Sequence, residues 1–79
     1  MPPDDIEALV RKRPFVPFRI LLSTGETYDV HHPELVMVGK RSALIGITSD
    51  PTPRYDRFAT ISLLHVVRLE PLDGETAAT

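Results

Sequence analysis

Two groups of residues in this 79-residue chain could do chemistry. The first is His31-His32-Pro33-Glu34, together with the distant His65. Imidazole and carboxylate are zinc ligands, and a zinc site needs three or four of them converging at about 2.0–2.2 Å. His31 and His32 are neighbours in an extended segment, so their side chains point to opposite faces. At most one of them can join His65 unless Pro33 bends the chain, so the reading assigns no metal and no cofactor. The second group is basic and aromatic: Arg11, Lys12, Arg13, Arg19, Lys40 and Arg41, with Phe15, Tyr28 and Tyr55. Single-stranded nucleic acid takes such a combination, with its phosphates on the cations and its bases stacked on the rings. The competing reading is architectural: Arg11 to Arg13 serve a helix end, and Phe15 and Phe18 pack that helix down.

Nothing else converges on catalysis. Ser23, Ser42, Ser49 and Ser62 fall in turns or strands without the glycine elbow that exposes a nucleophile. The chain has no cysteine and no glycine-rich phosphate loop. Asp29 and Glu34 are close in sequence, but acid–base work needs a cleft that shifts their pKa values. The expectation is a protein that is not an enzyme.

The net charge of −2 hides an asymmetry. Residues 1–7 carry three acids and no base, and residues 70–79 carry three more acids and no base. Residues 8–69 hold all nine lysines and arginines against five acids, which makes the body +4. A basic body attracts polyanions. The plainer reading is that four surplus charges keep a small surface soluble, since dedicated nucleic-acid domains usually have a pI above about 9.

The elements that must position these groups are short. A chain of this length forms one domain with a marginal core, and without cysteine no disulfide staples it. Asp4 as N-cap, Glu7 three residues on, and Ile6, Leu9, Val10 and Arg13 on one stripe predict a helix over about 4–13, stopped by Pro14. From Phe15 the period changes to two. Phe18, Ile20 and Leu22 alternate in a first strand, Gly25 turns the chain, and Thr27 to His32 returns as a second. Pro33 then bends the chain or lies on an edge. Leu35–Val38, Ala43–Ile47, Phe58–Leu63 and Val66–Leu69 read as further strand. A long loop spans 48–56, and Leu64-His65 is a tight corner. The pattern predicts a mainly β domain over 1–72: a five-stranded, strongly bent antiparallel barrel over about 16–70 behind one short helix. Residues 73–79 read as a disordered tail. The first residues lack the basic start and apolar run of a signal peptide, and no apolar run is long enough to span a membrane, so the expected location is cytoplasmic.

This order of elements resembles the Sm-like fold, an SH3-like small barrel, and within it the bacterial RNA chaperone family (Hfq). Ile6 to Pro14 is similar to that family's helix and basic exit, Phe18 to Gly25 to its first strand, and Leu64-His65-Val66-Val67 to its second motif. The resemblance implies a homo-oligomeric ring and, with the +4 body, single-stranded RNA as partner; Arg11, Lys12, Arg13, Arg19, Tyr28, Lys40 and Arg41 from the basic and aromatic set, and His65 from the family's last corner, are the candidate contacts. The chain departs from the family in having no Asn, no Gln, and Leu64 where the family has Lys, so the base-reading amides are missing. Arg13-Pro14-Phe15-Val16-Pro17-Phe18 and His32-Pro33-Glu34 also resemble strings in a recurring group of small bacterial proteins, which implies nothing further about chemistry.

Ala59, Ile61, Leu63, Val66, Val67 and Leu69 make the last two strands apolar in both registers. One small interior does not need all of them, so they are the expected oligomer interface. The competing reading is that they fill one core. The lead function is therefore a ring-forming, non-enzymatic RNA-binding module. Its rival is a protein-interaction or assembly scaffold without nucleic acid.

Overall fold

The computed structural model describes residues 1–50 and 52–72. The tail expected at 73–79 lies outside them. Helix α1 (Pro3–Arg11) is followed by β1 (Phe18–Leu22), β2 (Thr27–Val30), a 3-10 turn (Pro33–Leu35), β3 (Val36–Val38), β4 (Ser42–Ile47), β5 (Arg57–Ser62), a second 3-10 turn (Leu63–His65) and β6 (Val66–Pro71).

The helix differs from its expected 4–13 at both ends. Pro3 sits at the first helical position, where its missing N–H costs nothing. The capping position falls on Pro2, so no side chain caps the helix, and Asp4 serves as a first-turn charge instead. The helix stops at Arg11. Lys12 is extended, and a helical conformation at Arg13 would clash with the Pro14 ring. Arg13 therefore lies off the apolar stripe, on which Ile6 is fully buried and Leu9 and Val10 pack against the core.

The expected closed five-stranded barrel is not what forms. The described strands make two three-stranded antiparallel sheets, β2–β1–β6 and β3–β4–β5. The cause lies at His32-Pro33-Glu34-Leu35. Pro33 cannot donate to a ladder. The chain turns there instead: Leu35 N donates to the His32 carbonyl at 3.1 Å, and Val36 N donates to the Pro33 carbonyl. Leu35 is buried and pins the turn. The strand expected from Thr27 to His32 thus ends at Val30, and the chain resumes as β3 in the other sheet.

Alternation does what the sequence indicates within each sheet. Phe18, Ile20 and Leu22 of β1 face inward, as do Ala43 and Ile45 of β4 and Ile61 of β5. With Ile6 and Val30 they form one core between the sheets. Gly25 (φ 95°) makes the β1–β2 turn, a conformation that disfavours any residue with a Cβ. The Leu63–His65 turn carries the chain from one sheet to the other. Ser62 Oγ accepts from Leu64 N at 3.3 Å to start it. Leu63 N donates to Arg41 O at 2.9 Å, and Ser23 N donates to His65 O at 2.7 Å, so the corner is tied to both sheets. Among the described residues no helix is long and apolar enough to cross a membrane.

Candidate interaction surfaces

The structure sorts the candidate cations by whether they already have a partner. Arg11 pairs with Glu7 one helical turn away at 2.9 Å. Arg13 Nη1 donates to the carbonyls of Val10 at 2.9 Å and Lys12 at 2.8 Å, so it serves the helix end. Arg19 faces Asp29 across β1 and β2 in a two-pronged contact, Nε to Oδ1 at 2.7 Å and Nη2 to Oδ2 at 3.2 Å. The hydrogen bond from Arg19 holds the Asp29 carboxyl below its ordinary range, and the same bond raises Arg19. Lys12, Lys40 and Arg41 are exposed and form no ion pair with any described residue.

Lys40 and Arg41 sit at the β3–β4 turn, on a groove of about 480 Å³ shared with Met1, Ser62, Leu63 and Leu64. The Met1 amino group donates to Leu63 O at 2.8 Å on this groove, and Leu64 is 86% exposed. Tyr28 is half-buried and lines a separate cleft with His31 and Arg57, so it is not brought beside Lys40 and Arg41.

The histidines are dispersed. His31 and His32 border a groove with Thr48, Ser49 and Asp50. His65 lies at the 3-10 corner with Nδ1 3.3 Å from Ser23 Oγ. Among the described residues no three His, Asp or Glu side chains are placed to share an ion. The Ser23–His65 contact is long and exposed, and no described carboxylate orients the imidazole, so the nucleophile–base–orienter arrangement is not assembled there. In the β4–β5 loop, Asp50 accepts from the Thr52 hydroxyl at 2.7 Å and from Thr52 N at 3.0 Å. These bonds, the hydroxyl first, lower its pKa.

The expected oligomer interface divides. Ile61, Leu63 and Val66 are 3–5% exposed and fill the chain's own core. Ala59 and Leu69 are half-buried, and Leu69 packs against that core. Val67 stands out at 59% exposure. The backbone offers more than these side chains. β5 ends one sheet and β6 ends the other, so each has one edge without a described strand beside it.

The sequence reading missed a second apolar surface. Met37, Tyr55 and Phe58 are more than half exposed on the outer side of the β3–β4–β5 sheet, around the half-buried Leu44. The Tyr55 and Phe58 ring centroids lie 4.4 Å apart. A signal existed, since Phe58 has the opposite parity to the inward-facing Ile61 and must face out. No protein-family model, curated protein or solved structure matches the chain.

Proposed function

We propose that this chain is a non-enzymatic, Sm-like binding module that assembles edge to edge with copies of itself into a ring, β5 of one copy adding to β6 of the next. The observation that carries this reading is that β5 and β6, two of the four edge strands (β2 and β3 are the others), belong to different sheets, and that β6 carries the exposed Val67. An open edge is a template for another strand. Because the two edges belong to different strands, the contact is head-to-tail, and such contacts close into rings when the rotation per copy allows. Single-stranded RNA is the proposed ligand. Lys40 and Arg41, exposed and without an ion pair among the described residues, support it, and the cytoplasm is the proposed location. The rival, an assembly scaffold without nucleic acid, draws support from the engagement of Arg11, Arg13 and Arg19 within the chain.

The test has two arms. Light scattering on a sizing column should give a mass several times that of one chain, and Val67→Lys, which puts a charge beside the β6 edge, should reduce it to one. A single-chain mass for the unaltered protein at about 100 μM would overturn the assembly. Anisotropy of a U-rich oligonucleotide at two salt concentrations should show binding that weakens with salt. Lys40→Glu with Arg41→Glu should lower the log–log salt slope by about one to two. No binding at low salt would remove RNA and leave the scaffold.

A further inference from the structure

We propose that the outer face of the β3–β4–β5 sheet carries a site for a guanidinium group, supplied by an arginine side chain of a partner protein. The site is a recess of about 170 Å³ lined by Glu34, Met37, Leu44, Gly46, Tyr55 and Phe58, together with the buried Leu35. Its size fits one side chain.

Gly46 makes the recess. Phe58 lies opposite Gly46 in the β4–β5 register, and Leu35 and Tyr55 close in over the bare Gly46 backbone. A Cβ on Gly46 would come within 3.0 Å of Leu35 Cδ2 and 3.1 Å of Tyr55 Cβ. The bare backbone therefore lets Tyr55 lie down over β4. The Tyr55 and Phe58 rings meet at a tilt of 38°, yet they remain 53% and 52% exposed. Glu34, on the 3-10 turn before β3, is the one charged residue lining the recess among the described residues, and it forms no ion pair with any of them.

The chemistry selects the occupant. Aromatic faces carry negative quadrupole potential and attract cations. A carboxylate at the rim repels anions, and an apolar plug would strip water from that carboxylate without compensation. Guanidinium meets both demands: it is planar and weakly hydrated, stacks on rings, and matches a carboxylate with its fork of donors. The chain's own Arg57 does not compete, because strand alternation sends it to the opposite face of β5 from Phe58, into the cleft with Tyr28.

The test is an NMR titration of the full chain with N-acetyl-arginine amide, and with N-acetyl-citrulline amide as the uncharged isostere. Saturable shifts are expected at Glu34, Met37, Tyr55 and Phe58 with the arginine probe, and binding at least about fivefold weaker with citrulline. Glu34→Gln and Phe58→Ala should each weaken arginine binding by about the same factor. Both positions are exposed, so the fold should survive, and an unchanged backbone spectrum checks that it has. Equal response to citrulline, equal shifts at Asp and Glu residues away from the recess, or no shift at tens of millimolar would each overturn the proposal.

Discussion

Truncating Ile6 tests whether the helix is part of the core or an appendage to it. Ile6 is the one residue of α1 that is fully buried, and it shares a cluster with Phe18, Ile20 and Ile45. A nine-residue helix does not hold itself together in water, so its docking must come from this contact and the partial burial of Leu9 and Val10. Ile6→Ala removes three carbons from a site with no solvent access, which costs about 2–5 kcal/mol once the cavity is included. A domain of this size has about 4–12 kcal/mol in total. With a urea slope near 1 kcal/mol/M, a loss of about 3 kcal/mol moves the midpoint down by about 3 M. The assay is urea unfolding followed by tyrosine fluorescence and by circular dichroism, with Ile45→Ala, in the centre of β4, as the reference. The two variants should lose comparable stability, and both probes should report one transition. A midpoint shift under about 0.5 M, together with loss of the helical signal, would refute the reasoning. The helix could then leave while the sheets stand.

Gly46→Ala should destabilise by about 1–2 kcal/mol, since Leu35 is buried and has little room to move from the new Cβ; a melting-temperature drop of about 5–10 °C checks it. The Arg19–Asp29 pair sets a pH dependence. Asp29 has a lowered folded pKa, so its contribution is present above the ordinary carboxylate value of about 4 and is lost as pH falls through the lower folded value. The pair is exposed and screened, so the effect is small. Asp29→Asn should differ from the unaltered protein in urea midpoint at pH 7 and match it near pH 2, and equal midpoints at both would show that the pair contributes nothing.

Local pattern was legible in the residues, and long-range arrangement was not. The inward set Phe18, Ile20 and Leu22 follows from alternation, and the corner at Leu64-His65 follows from the shortness of the link between two apolar runs. The Arg19–Asp29 contact depends on the exact turn geometry: the two are equidistant from Thr24, whereas a turn centred between Thr24 and Gly25 would set Arg19 against Val30. The helix end was misjudged because Arg13 fits the apolar spacing but precedes a proline, and the proline's steric demand outweighs the pattern. Closure was misjudged for a different reason. A proline in an extended run can bend a strand or split it, and which happens depends on where Leu35 finds burial, a tertiary fact that no local period records. The same holds for Ile61, Leu63 and Val66, whose apolar character fits a neighbour and a core equally well.

The two parts of the proposed function are not independent. Three of the nine cations form ion pairs with described residues, Arg13 is held by backbone carbonyls, and Lys12, Arg54 and Arg57 do not line the groove beside Leu64. In one copy, the groove beside Leu64 then offers only Lys40 and Arg41 as side-chain cations. Two phosphate contacts are too few for firm binding of a single strand at physiological salt, where each contact adds only about 0.7 to the slope. Repetition around a ring multiplies them, because each further contact on the same strand forms intramolecularly. Edge pairing works through backbone hydrogen bonds and apolar contact, which salt does not screen. Assembly should therefore survive high salt while RNA binding does not, and Val67→Lys should abolish RNA binding although it adds a positive charge. A single-chain Val67→Lys variant that binds the oligonucleotide as tightly as the unaltered protein would break the link. The cations of one copy would then suffice, and the ring would have no part in recognition.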